Sequence, residues 1–180
     1  MANESAIIVP FPEVELIVGP MRLQYDRAAQ LGVPAHITLL YPFCPPQAVA
    51  GVIPTLRDVC AAIEAFQFSF TELRRFPATA YLHPDKAERF ECMIRTLVKT
   101  WPDFKPYGGS FSDIIPHLTV ADKVDDQTLN AVEDSLRHQL PIKCVTREVW
   151  LLTSDDAGMW SRRAAFPLAP ARTAEQTVRT

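Results

Sequence analysis

The amino-acid sequence predicts an α+β protein, duplicated into two lobes, on two observations. One is a pair of echoing stretches, Val33-Pro34-Ala35-His36-Ile37-Thr38-Leu39 and Ile114-Ile115-Pro116-His117-Leu118-Thr119-Val120. Each carries a proline just upstream, then His, an aliphatic residue, Thr and another aliphatic residue. The other is the order of elements around them: strand, helix, motif strand, helix, hairpin, helix, motif strand, helix, hairpin. The second half repeats the motif strand, helix and hairpin of the first, so each lobe is expected to contribute one motif.

Each element has a local reason. Ser5 to Val9 is a short β-branched run closed by Pro10 and Pro12, a buried strand. From Glu13 to about Asp26, Val14, Ile17, Val18, Met21 and Tyr25 recur at helical spacing, with Gly19-Pro20 expected to interrupt and kink the helix. Gly32-Val33-Pro34 turns the chain into the first motif strand, 35–43, closed by Pro42, Pro45 and Pro46. Gln47 to Phe66 is helical in pattern, with a fresh helix expected to begin near Pro54.

Phe66, Phe68 and Phe70 alternate with polar residues in a strand running to Phe76. Pro77 turns it into a second strand, Thr79 to His83, completing a hairpin. A helix from Pro84-Asp85 to Trp101 follows, with Phe90, Met93, Ile94, Leu97 and Val98 on one face. Pro102 to Ser112 is a loop placed to wall a groove. The second motif strand spans 116–122. Asp125 to Leu140 is a helix capped by Asp125 or Asp126. Ile142–Thr153 and Trp160–Leu168 are strands joined by Ser154-Asp155-Asp156-Ala157-Gly158. Residues 1–170 are read as one bilobal domain and 171–180 as a flexible tail.

Composition narrows the class. With 48% hydrophobic and 22% charged residues, 180 residues can bury one real core. The net charge of −3 supplies no bulk positive field for duplex DNA, and favours a small substrate or a nucleic-acid end. Cys44, Cys60, Cys92 and Cys144 are scattered, without zinc spacing or a disulfide framework, as expected of free thiols in a reducing compartment. No apolar run approaches a membrane span, and the N-terminus lacks a basic signal region, so a cytoplasmic location is expected.

Side chains alternate along a strand, so His36 and Thr38 share one face while Ile37 and Leu39 enter a core. His117 and Thr119 repeat this against Leu118 and Val120. Each stretch offers an imidazole beside a hydroxyl. Two such strands separated by about half of the chain resemble the two-histidine (2H) phosphoesterase superfamily, whose bacterial members are often labelled 2′-5′ RNA ligase-like. The resemblance spans Ile7 to Phe166. It implies antiparallel sheets lining a central groove, helices packed outside, and hydrolysis of 2′,3′-cyclic phosphates on RNA ends or small cyclic nucleotides, with 2′-5′ RNA joining as the reverse sense.

The chemistry suits the residues. Histidine titrates near neutrality and can act as base in one copy and acid in the other. The hydroxyls of Thr38 and Thr119 can hold the non-bridging phosphoryl oxygens. His117 is assigned the base and His36 the acid, although the pseudo-symmetry allows the reverse. No cofactor is required, and no carboxylate cluster or His-x-x-x-His set supplies a metal. Tyr41, Tyr81 and Tyr107 are candidate substrate contacts, the first two by stacking on a base. Packing explains each of the three equally simply. His83 and His138 read as solvated surface residues, and Arg74 and Arg75 as phosphate-steering groups or a plain strand edge. The expected partner is a nucleotide or RNA end, taken up by a monomer without membrane contact. Two rival readings stand beside the enzyme: a non-catalytic nucleotide-binding module using the same groove, and an interaction protein with accidental motifs.

Overall fold

The computed structural model describes residues 4–110 and 113–171. Of the expected tail, 171–180, all but the first residue lie outside them. The order is β1 (Ser5–Pro10), α1 (Pro12–Tyr25), α2 (Arg27–Gln30), β2 (His36–Leu40), α3 (Val49–Ala61), β3 (Phe66–Phe76), β4 (Thr79–Pro84), α4 (Ala87–Thr100), β5 (Leu118–Asp122), α5 (Asp126–Leu136), β6 (Ile142–Thr146), β7 (Glu148–Ser154) and β8 (Trp160–Pro167).

The strands form two antiparallel four-stranded sheets, ordered β2-β1-β7-β8 and β5-β4-β3-β6. The α+β class holds, with one motif strand at an edge of each sheet. The halves of the chain are exchanged between the sheets. The hairpin β3-β4, which follows the first motif, pairs with β5 of the second. The hairpin β7-β8, which follows the second motif, joins β1 and β2.

Three expectations need correction. The stretch 142–153 is two strands: β6 pairs with β3 and β7 with β1, so the chain changes sheets at Arg147. Buried positions shift phase there, from Ile142, Cys144 and Thr146 to Val149 and Leu151. The α1 helix runs through Gly19-Pro20 without ending. Pro20 removes the N–H that would bond the Leu16 carbonyl, and Leu16 lies on the solvent side, 86% exposed. Similarly α3 continues through Pro54 rather than starting there, led in by a 3₁₀ turn at Pro46–Ala48.

One core joins the two sheets. It takes Ile7, Val9, Ile37 and Leu39 from the first sheet, and Phe68, Phe70, Leu82, Leu118 and Val120 from the second. Phe11 sits between them, its ring edge-on to Phe68, Phe70 and Phe90 at 5.2, 5.6 and 6.3 Å. The helices pack on these layers. Helix α1 lies on β5 and β6, α5 on β4 and β5, α4 on β2 and α3 on β8, while β2 meets β5 directly. Asp125 caps α5 by accepting from the Thr128 N–H at 2.8 Å, as its sequence suggests. Among the described residues no helix is long and apolar enough to cross a membrane.

Candidate active site

The alternation of β2 and β5 places both motifs. Ile37, Leu39, Leu118 and Val120 are buried, which turns His36, Thr38 and Thr119 to the opposite, half-open faces. His117 stands one residue before β5 begins.

The two imidazoles are held in the same way. His36 Nδ1 lies 2.7 Å from the Pro34 carbonyl, and His117 Nδ1 lies 2.7 Å from the Ile115 carbonyl, in each case two residues upstream. A carbonyl only accepts, so each Nδ1 carries the proton and each Nε2 presents a lone pair. His36 Nε2 is 3.1 Å from Thr38 Oγ1, whose hydroxyl donates to it. The Tyr107 hydroxyl also hydrogen-bonds Thr38. Its backbone N–H donates to the Tyr41 carbonyl at 2.5 Å, tying the loop to the end of β2.

Both imidazoles favour the neutral form. His36 is pushed down to about 3, first by burial and then by the positive charge of Arg22, with a smaller push from His117. His117 is also lowered, chiefly by burial, with a further push from His83. The His117 ring meets Phe76 and Tyr81 edge-on, at 5.2 Å from each.

The three tyrosines take different places. Tyr41 donates to Glu4 Oε2 at 2.9 Å and meets Trp160 edge-on at 6.0 Å. Burial, then Glu4, pushes its phenol up to about 12. With His36, Thr38, Ala6, Ile8, Val33, Leu152 and Trp160 it lines a cavity of about 270 Å³. Tyr107 reaches the site through Thr38. Tyr81 is only 4% exposed and stacks on Phe76 at 4.2 Å, so it backs His117 rather than standing open in the groove.

Sequence reasoning missed Arg22. It is 1% exposed, yet it joins both motifs. Its guanidinium donates to the Val33 carbonyl at 3.2 Å and the Thr119 carbonyl at 3.1 Å, and pairs with Asp26 at 2.8 Å and Glu15 at 3.2 Å. Glu15 in turn accepts from the Ala35 N–H beside His36. A signal existed: Val14, Val18 and Arg22 fall at i, i+4, i+8, which puts a cation on the apolar stripe. Trp160 was read only as the start of a strand. His83, expected on the surface, is half-buried, and its Nδ1 has no hydrogen-bond partner among the described residues. Arg74 pairs with Glu72 at 2.7 Å, and Arg75 with Glu133 at 2.6 Å. His138 is exposed, as expected. No group of three or more His, Cys, Asp or Glu side chains among the described residues is arranged to hold a metal.

Comparison with known proteins bears on the family and the fold. Residues 10–158, which include both motifs, match the family model of the 2′-5′ RNA ligase superfamily. The chain belongs to that superfamily. Its fold is that of Escherichia coli LigT complexed with 3′-AMP, with a TM-score of 0.61 and 13% identity over 94% of this chain and 99% of that one. TT0787 of Thermus thermophilus superposes with a TM-score of 0.62 and 13% identity, covering 94% of this chain and 100% of that one. LigT complexed with NADP+ gives 0.61 and 12% identity, over 93% and 98%. The curated protein sequences contain no match to this chain. At such identities the likeness is one of backbone fold.

Proposed function

We propose that this protein is a metal-independent phosphoesterase that opens 2′,3′-cyclic phosphates on RNA ends or small nucleotides, with 2′-5′ joining as the reverse sense of the same step. The observation that carries this is the matched pair of imidazoles, each proton-bearing at Nδ1 toward a backbone carbonyl and presenting a lone pair at Nε2, that of His36 toward Thr38. With a phosphate between them, one Nε2 takes the proton of the attacking water as its oxygen bonds to phosphorus. The other must first take up a proton at Nε2; as this imidazolium it gives that proton to the ribose oxygen while the P–O bond breaks, and the proton taken from water returns to solvent to reset the pair. The hydroxyl of Thr119 donates to a non-bridging oxygen, and that of Thr38 does so on turning from His36 Nε2 to the phosphate.

A nucleoside fits the surroundings. The cavity beside His36 is walled by Tyr41 and Trp160 and is otherwise mostly apolar, a setting for a planar base. LigT is known in complexes with 3′-AMP and with NADP+, and the same class of ligand suits this groove. Both motifs come from one chain, which suits a monomer. Four free cysteines suit a cytoplasmic setting.

The test is hydrolysis of the four nucleoside 2′,3′-cyclic monophosphates, and of a short RNA ending in a cyclic phosphate, with EDTA present. The wild type is compared with His36→Ala and His117→Ala. Each variant should lose roughly 10²–10⁴ in turnover. Full activity in either variant would end the two-histidine mechanism. Tight nucleotide binding without turnover on any of these substrates would instead favour a binding module.

A further inference from the structure

We propose that Arg22 is a positioning residue for this site, which locks the two motif strands in register. The inference rests on the two-histidine reading for its consequence in turnover, but its physical content is independent of any substrate.

The register argument is geometric. The two motifs lie in different sheets, and no shared backbone ladder joins β2 to β5. Arg22 supplies a joint, donating from one planar group to the carbonyl three residues before His36 and to the carbonyl of Thr119 itself. Asp26 and Glu15 orient that group from two sides. Glu15 also holds the Ala35 N–H, so α1 grips the first motif at two points about two helical turns apart. A guanidinium suits this task because its donors are fixed in one plane, whereas an ammonium directs its donors tetrahedrally.

The charge argument follows from burial. Arg22 is enclosed, and its positive charge, partly offset by its two carboxylate partners, adds to the effect of burial on His36. The charged or titratable groups acting on His36 are Arg22 on α1 and His117 ahead of β5, and both oppose a second proton on its ring. The Pro34 carbonyl opposes them from the other side. Glu15 and Asp26 neutralise Arg22 within the network, while Tyr107 and Thr38 are uncharged neighbours. His117 lacks a comparable cation, since Asp122 partly offsets His83 there. The two halves are therefore alike in geometry and unlike in charge.

The experiment follows the His36 ring by NMR titration in wild type, Arg22→Met and Arg22→Lys, alongside pH profiles of kcat/KM on a cyclic nucleotide. Arg22→Met should raise the His36 midpoint by about one pH unit or more and bring an acidic limb up to higher pH. Arg22→Lys keeps the charge, so His36 should titrate as in wild type while kcat falls from the loosened joint. If Arg22→Met does not fold, the pair Arg22→Met with Asp26→Asn removes the stranded carboxylate and retains the cap of α2. An unmoved His36 midpoint in a folded Arg22→Met protein would overturn the charge role, even if activity were lost. Undiminished kcat in Arg22→Lys would overturn the joint. A midpoint shift in a protein with no turnover would leave the electrostatics standing and sink only the enzymatic reading.

Discussion

The Tyr81 ring stands edge-on to the His117 imidazole at 5.2 Å while its face stacks on Phe76 at 4.2 Å. Tyr81 also sits opposite Thr119 in the β4-β5 ladder, so one buried ring touches the imidazole and neighbours the hydroxyl of the second motif. Tyr81→Leu should lower kcat by about tenfold to a hundredfold through a misplaced imidazole, with substrate affinity much less affected. Tyr81→Phe should be nearly silent. A Tyr81→Leu enzyme that turned over at the wild-type rate would show that His117 is held by its Ile115 carbonyl alone.

Thr38 and Thr119 should not be equivalent. Thr119→Val removes the hydroxyl proposed to donate to phosphate, and should cost about 1.5–3 kcal/mol in transition-state stabilisation, as for a hydrogen bond to a charged group. Thr38→Val removes that donor and also the hydroxyl between His36 Nε2 and Tyr107. Its pH profile should therefore change shape, whereas that of Thr119→Val should only fall. Steady-state profiles of the two variants measured side by side make the comparison.

Tyr107→Phe deletes the phenol that reaches Thr38 and keeps the ring and the backbone tie to Tyr41. The expected result is a severalfold drop in kcat with stability retained, read by kinetics and thermal melting. Loss of stability instead would make Tyr107 a packing residue.

The cavity beside His36 offers rings and aliphatic carbons and no free carboxylate or amide to read a base edge, since the Tyr41 hydroxyl is already given to Glu4. Base preference should be shallow, with kcat/KM for the four cyclic nucleotides within about tenfold of one another. Trp160→Ala should raise KM for all of them, by about 1–3 kcal/mol if the indole stacks on the base. A strong preference for one base would place its recognition elsewhere.

Acid stability carries a signature of the site. His36 binds its proton at about 3 in the folded protein and near 6.5 in the unfolded chain. Between those values the unfolded chain holds the extra proton, so stability is complete above about pH 6.5 and declines as pH falls toward 3. His117 acts in the same direction. Urea melts from about pH 7 to pH 4 should show a shallower decline in His36→Asn than in wild type. Parallel curves would mean that the His36 ring is well solvated.

Much of this was legible because the signals were local. Alternation in Val33–Leu39 and Ile114–Val120 placed the histidines and threonines correctly, since burying Ile37, Leu39, Leu118 and Val120 leaves their neighbours no other face. The cap at Asp125 and the Phe66-Phe68-Phe70 strand were equally local. What escaped depended on pairing between distant segments. The strand partners of Ile142–Thr146 and Glu148–Ser154 are decided by β3 and β1, more than seventy and one hundred and forty residues upstream. Arg22 escaped because a cation on an apolar stripe has no local reason. Its partners are carbonyls 11 and 97 residues away.

The exchange of hairpins between the sheets has a consequence for how this protein comes into being. The first histidine is on the second strand made, yet its sheet stays unfinished until β7 arrives beside β1 and β8 beside β7. The second histidine belongs to a sheet begun by β3 and β4 and closed at its far side only by β6. A ribosome-bound chain that stops after Asp122 already contains every motif residue, but it lacks strands from both sheets. Competence for chemistry is thereby withheld from partial products of synthesis or proteolysis, and cutting the polypeptide between its two similar halves should give fragments that regain activity only when mixed.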